Sequence, residues 1–388
     1  MSEKLFEILT PEAVDSSADE TLSRLAGELR EAGQYHELFD ARLMQFRHRL
    51  GLGVDRPGNL EELPEPLRSQ VEESYLEACR EVGGLMVTAG RFREAWVYLR
   101  PVGDKTQLAQ ALAETNVDEK NLDELVELSL HEGVNPELGF RLVLGHYGTC
   151  NAITTLEGVM YSLPQETQRT AAQTLVRHLH GELLGNVRGH VEREEGKPPA
   201  EATLAELVAE RPWLLENDSY HIDTSHLSST VRFGRLLVDR EPLQLALDLT
   251  EYGRRLSAAL QFPGDEPFLD VYDSHRLLFA ASLGEHVDEA VDHFGRKARE
   301  LAIEEHGTGA VETYLILLTR LGRHAEAMEV WGELVPAGVQ LSPYAPRPLE
   351  MARRAERIDR YLELCRQRND YLSYAAALVE SRTAASVG

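Results

Sequence analysis

Cysteine is scarce in this chain, with three in 388 residues: Cys79, Cys150 and Cys365, far apart and odd in number. No CxxC pair occurs, so neither a disulfide framework nor a thiolate zinc site is indicated, and a reducing compartment fits. No run of about 18 apolar residues is present to span a bilayer. The first residues, Met1 to Thr10, are acidic where a secretory signal needs a basic start and an apolar core, so a cytoplasmic protein is expected. Positive charge is in short supply: Lys plus Arg number 40 against 65 for Asp plus Glu, a formal charge of −25, with no basic run to offset that field locally. A phosphate backbone is repelled over most of such a surface, so neither nucleic acid nor an anionic membrane is expected as a partner; basic peptides, cations and metals suit it better. The chain also has no phosphate loop, GxGxxG, GxSxG or HExxH, which removes the commonest nucleotide, hydrolase and metalloprotease readings. Alternating β-branched runs are missing as well. Leu227 to Leu237 comes nearest with its Ser, Thr and Val, and the expected fold is all-α.

What the chain has is helical periodicity. Apolar residues at 43% and charged residues at 27% are near globular averages, so most of the chain has a core to bury. From Ala18 to about Leu50, Leu22, Leu25, Leu29 and then Leu38, Ala41 and Leu43 recur at helical spacing on either side of Gly33-Gln34-Tyr35, which predicts a helix, a tight turn and a helix. Gly51 to Pro66 reads as a loop. Tyr75 to Leu99 repeats the plan, with Val82, Gly83 and Met86 on the first helix, Gly90 and Phe92 at the turn, then Ala95 and Leu99. Tyr314 to Leu334 repeats it again, with Leu315, Leu318, Gly322, Ala327 and Trp331. Ser274 to Phe294 gives a version with one more turn residue, Gly284 to Ala290. Gly33 to Leu38 and Gly148 to Ile153 are weaker copies, the latter placing a hairpin over Asn135 to Leu163.

This grammar resembles the tetratricopeptide repeat, in which a small residue follows an aliphatic one on the first helix, a Gly holds the turn, and an Ala stands five residues beyond it. The steric reason is that a small crossing residue lets antiparallel helices approach, while Gly takes a left-handed turn without strain. Spacing is irregular, 57 residues from Gly33 to Gly90 and 38 from Gly284 to Gly322, whereas a regular array keeps a period near about 34. The resemblance implies an irregular right-handed α-solenoid of antiparallel helical hairpins. Ala171 to Gly189 and Val231 to Leu260 are helical but lack the Gly–Ala pattern. Residues 193–202, charged and carrying Pro198-Pro199, predict an exposed linker between an N-terminal half, 1–192, and a C-terminal half, 203–388. Val335 to Pro348 separates the Trp331 hairpin from a last pair, Leu349 to Leu364 and Tyr371 to Val379, and Thr383 to Gly388 is expected to fray.

One stretch fits no scaffold requirement: Asp218 to Arg235, polar and poor in helix formers. Within it His221, Asp223 and His226 fall in six residues. With Asp223 capping a helix that starts at Thr224, carboxylate and imidazole converge at a spacing that can bind a divalent metal such as Zn, Mn or Fe. The bland alternative is that Asp223 is only a cap and the histidines only hydrogen-bond. Asp270 to His275 repeats the style, with Asp273 as expected cap and His275 in the first turn; two such helix starts on one rim can face a common ligand. Arg232, Arg235 and Arg254-Arg255 lie near and can receive an acidic group. His178 and Glu182 share a helix face while His180 points elsewhere. Cys150 beside His146 is either a stabilised thiolate or a small packed side chain.

Two functions follow. The first, implied chiefly by the resemblance, is a protein- or peptide-binding helical scaffold. The second is a metal-dependent enzyme with His221, Asp223, His226 and His275 as ligands. In either case the expected binding pocket consists of these four with Arg232 and Arg235.

Overall fold

The computed structural model describes residues 6, 9–54, 63–159 and 163–387. The expected loop over Gly51 to Pro66 thus lies outside the described residues from 55 to 62, as do Met160 to Ser162 at the end of the expected second helix of the Asn135 hairpin. Regular structure is helical, and no strand occurs among the described residues beyond an isolated bridge between Pro263 and Asp270. No described helix is long and apolar enough to cross a membrane.

The chain forms two compact units, residues 1–143 and 144–388. This leaves the charged 193–202 stretch inside the second unit. Its exposed loop is held down by Arg211, which bonds Glu195 at 2.5 Å and Glu201 at 2.9 Å.

The first unit contains α1 (Pro11–Ser16), α2 (Ala18–Glu31), α3 (Tyr35–Arg49), α4 (Leu67–Thr88), α5 (Phe92–Val102), α6 (Thr106–Glu114), α7 (Leu122–Val126) and α8 (Pro136–Leu142). Consecutive helices α2 to α5 pack on one another. The α4–α5 turn shows why the sequence is spelled as it is. Gly90 has φ +72°, the Arg91 amide reaches back to the Met86 carbonyl at 2.9 Å, and Ala95 is fully buried. A Cβ on Gly83 would lie 2.6 Å from Leu99 Cγ, so the two helices meet at a distance only Gly permits.

The second unit contains α9 (Gly148–Val159), α10 (Gln165–Glu195), α11 (Leu204–Glu210), α12 (Thr224–Phe233), α13 (Arg240–Gly253), α14 (Val271–Ser282), α15 (Val287–Glu300), α16 (Ile303–His306), α17 (Gly309–Arg320), α18 (His324–Leu334), α19 (Pro348–Arg354), α20 (Ile358–Gln367) and α21 (Tyr371–Val387). From α17 onward each helix packs on the next. Gly322 repeats the Gly90 turn, with φ +74°, the Arg323 amide on the Leu318 carbonyl at 2.8 Å and Ala327 fully buried. The longest helix, α10, is roughly 46 Å at 1.5 Å per residue. It buries Ala172, Leu175, Val176, Leu179, Leu183, Val187 and Val191 along one stripe and packs against α12 and α13.

Three local expectations differ. The helix expected over Leu349 to Leu364 is two, α19 and α20, because Glu356 takes a left-handed φ of +55° between them. Residues Thr383 to Val387 continue α21 instead of fraying. Helix α14 begins at Val271, capped by Asp270 whose side chain accepts the Asp273 amide; Asp273 instead pairs with Arg254.

Candidate functional site

The polar stretch begins where a 3-10 segment, Pro212–Asp218, ends in two successive left-handed residues, Asn217 at φ +55° and Asp218 at φ +59°. Asn and Asp tolerate this region better than other side chains, yet two in a row store strain that the surrounding fold must hold. The chain leaves through an extended Ser219 and bends at His221 and Ile222 before Asp223, which caps α12 as its chemistry predicts: its carboxylate accepts the Ser225 amide at 2.9 Å and the His226 amide at 3.3 Å. The Ser225 hydroxyl, also bonded to it, is the main cause that lowers its pKa, with the two amides adding to it.

Between these points His221 is placed by three contacts. Its backbone amide donates to the Tyr252 hydroxyl at 3.0 Å, its Nδ1 lies 2.9 Å from the same oxygen, and its Nε2 lies 2.8 Å from His190 Nδ1. Asn186 donates to its carbonyl at 2.9 Å. Tyr252 is fully buried on α13, and His190, on α10, also stands edge-on to Trp213 at 5.3 Å. Burial pushes the His221 pKa down to about 4, helped by the neighbouring His190 and Arg193, so the ring is neutral at neutral pH.

These distances fix the direction of the hydrogens. The Tyr252 oxygen already accepts the His221 amide, and among the described residues its own hydrogen meets no acceptor other than His221 Nδ1. His221 Nε2 therefore carries the ring proton and donates to His190 Nδ1. In neutral His190 the proton is then on Nε2, which has no protein acceptor among the described residues. The chain Tyr252 to His221 to His190 thus ends in a hydrogen-bond donor. His190 and His221 line a cavity of about 550 Å³ together with Asn186, Arg193, Asp218 and Tyr220. Such an arrangement can grip an oxygen acceptor and, in principle, pass a proton along three groups.

The six residues expected in one pocket are divided. His221 belongs to this cavity. His275, Arg232 and Arg235 wall a different one, of about 80 Å³. Asp223 and His226, at the α12 N-terminus, line neither. The metal set of His221, Asp223, His226 and His275 is therefore not assembled, and among the described residues no group of three or more His, Cys, Asp or Glu is arranged to hold a metal ion. The physical reasons are separate. Asp223 is turned toward its own helix's amides, His221 is engaged by Tyr252 and His190, and His275 lies in the second turn of α14, its Nδ1–H given to the Val271 carbonyl. This leaves the metal-dependent alternative without a ligand set among the described residues.

The other sequence candidates also separate. His178 and Glu182 do share a face of α10, 3.7 Å apart, and His180 points elsewhere, into a buried bond with Asp248 at 2.8 Å. Asp248 also accepts the Leu204 and Ala205 amides at 2.9 Å each, which satisfies the start of α11. Cys150 and His146 are both exposed, so Cys150 is not packed as a small apolar side chain. Arg254 pairs with Asp273 and Glu251.

His190, Trp213 and Tyr252 were not singled out by the sequence. One signal was available: Asn217-Asp218 is a pair suited to left-handed backbone just before the polar run. No protein-family model matches this sequence, and no match to a curated protein was found.

Proposed function

We propose that this protein is a helical-hairpin scaffold, an irregular right-handed solenoid of tetratricopeptide-like units, that binds a protein or peptide partner. In this reading the His190–His221 cavity receives a carbonyl or amide oxygen of a partner segment. The observation that carries it is the outward donor at the end of the Tyr252–His221–His190 chain, in a polar cavity rimmed by the strained pair Asn217-Asp218. Strain of this kind costs about 1–3 kcal/mol per residue in general and tends to persist at sites of use. The repeated cap geometry at Gly90 and Gly322 supports the scaffold half of the proposal. The charge of −25 favours a basic segment, and Asp218 at the rim offers a carboxylate to a flanking Lys or Arg.

Selection from a peptide array followed by calorimetric titration tests the reading. Basic peptides carrying Asn or Gln should be selected, and His190→Phe should weaken them about tenfold, the loss of one hydrogen bond in a partly buried site. If no peptide rises above background, or selected peptides bind the variant as tightly, the proposal fails.

A further inference from the structure

A cavity of about 380 Å³ opens where α14, α17 and α19 end, against the first turn of α13. Arg320, the last residue of α17, forms part of its wall and is mostly enclosed by protein. One of its Nη atoms donates to the Ser282 hydroxyl oxygen at 3.3 Å and the other to the Arg235 carbonyl at 2.6 Å. Both partners are neutral. A guanidinium carries five N–H groups, so the remaining ones meet no protein acceptor among the described residues.

Nor does the charge meet a counter-charge. No carboxylate lies within ion-pair distance of Arg320 among the described residues. Burial and then the like charge of Arg169 pull its pKa down to about 10, and no acid acts in the opposite direction, while the group stays charged at neutral pH. The acids nearby are engaged elsewhere: Glu350 pairs with Arg354 at 2.7 Å, and Glu166 with Arg169 at 2.8 Å. The ends of α14 and α17 add only partial negative charge, and their carbonyls close on their own turn amides, Leu283 to Glu285 and Leu321 to Arg323. Water satisfies N–H groups without neutralising a charge held away from bulk solvent.

The rest of the wall says which anion fits. The Ser282 hydroxyl donates to the Leu278 carbonyl at 2.7 Å, and that of Thr319 to the Leu315 or Ile316 carbonyl, at 3.0 and 2.9 Å. Neither has a hydrogen left for a ligand, so donors come from guanidinium alone. Phosphate brings more charge and more acceptor oxygens than one guanidinium can meet. A carboxylate has one charge and two coplanar oxygens, which match a planar donor group. Leu243, buried, and Val238, 48% exposed, give the cavity an apolar side, so the carboxylate that fits carries an aliphatic chain.

We propose that this cavity binds one small aliphatic monocarboxylate, its oxygens on the free N–H groups of Arg320 and its chain against Leu243 and Val238. The site shares no lining residue with the His190–His221 cavity and does not depend on the partner-binding reading.

Calorimetric titration of the full chain, dialysed free of carboxylates and phosphate, with butyrate, butyramide, acetate and phosphate provides the test. Butyrate and butyramide match in shape and differ in charge. Butyrate is expected to bind at least about tenfold tighter than butyramide, the effect of hydrogen bonds to a charged group. It should also bind several-fold tighter than acetate, because two more methylenes reach the apolar side, and tighter than phosphate. Arg320→Gln should abolish the difference between butyrate and butyramide. That variant also disturbs the bonds to Ser282 and Arg235, so Val238, at an exposed position, supplies a second test. Val238→Asp places a carboxylate on the cavity wall and should weaken butyrate about tenfold relative to Val238→Asn, which has the same size without the charge. No butyrate binding, acetate, butyramide or phosphate binding as tightly, or equal affinity in folded Val238→Asp and Val238→Asn would overturn the proposal.

Discussion

Two neutral histidines, one buried and one half-buried, should make this protein acid-sensitive well before its carboxylates titrate. His275 and His221 have pKa values pushed down from 6.5 to about 3 and about 4, in each case mainly by burial. At pH 5 neither ring holds a proton in the folded protein, while both do in the unfolded chain. The unfolded state then binds more protons, so acid favours it, and stability falls as pH drops from about 6.5 toward the folded values. Each fully shielded histidine costs about 1.4 kcal/mol per pH unit over that window, hence about 2 kcal/mol at pH 5 for His275. Half-buried His221 contributes less after solvent screening, so the pair costs about 3 kcal/mol, against a typical domain stability of about 5–15. His293, also lowered mainly by burial, acts in the same direction. Urea unfolding between pH 7.5 and 5, followed by circular dichroism, measures the slope of stability against pH. His275→Gln should reduce that slope by about 1.4 kcal/mol per unit. Any constant destabilisation from the substitution shifts the line without changing its tilt. A flat profile above pH 5, or a slope untouched by the substitution, would refute the reasoning.

Three further outcomes are expected. Gly83→Leu should destabilise the first unit by about 1–3 kcal/mol in urea unfolding, because its side chain meets Leu99, whereas Gly181→Leu, with nothing within 4 Å of an added Cβ, should not. Asp248→Ala should cost about 3–5 kcal/mol, since it strands two helix amides and His180 in a buried site; Thr203→Ala, which removes only the ordinary cap of the same helix, should cost about 1. Fluorescence anisotropy with DNA or RNA should show no submicromolar, salt-sensitive binding, given the charge of −25.

The hairpins were legible because their geometry restricts residue type. A left-handed turn and a close helix crossing admit few side chains, so Gly90, Gly83 and Ala95 announce themselves, as do Gly322 and Ala327. Asp223 was legible for a similar reason, since its cap is made with amides two and three residues away. The division at Val143/Leu144 was not, because the backbone continues there through a helical turn, Val143–Tyr147, without Pro and without a charged run. Conversely, residues 193–202 look like a linker because they are exposed, but the ion pairs that bind them come from Arg211, beyond the stretch itself. At Asp270 and Asp273 two residues have the right chemistry three positions apart, and the choice falls to Arg254, 19 residues from the acid it captures. The His190–His221–Tyr252 chain joins residues 31 apart on each side. Such a contact depends on how α10 and α13 are rotated against the central stretch, which local periodicity does not specify.

The carboxylate of Asp248 also sets the timescale on which one part of the second unit can open. Helix α11 has seven residues, too few to persist alone, and two of its amides bond to a side chain more than forty positions away. The Leu204 and Ala205 hydrogens cannot exchange with solvent by local fraying, because their acceptor sits on α13 and is itself held by His180 on α10. They leave only when α11 lifts from both helices as a body. Their protection against deuterium therefore reads a sub-global opening in which α11 leaves the pair of helices that carry His190 and Tyr252.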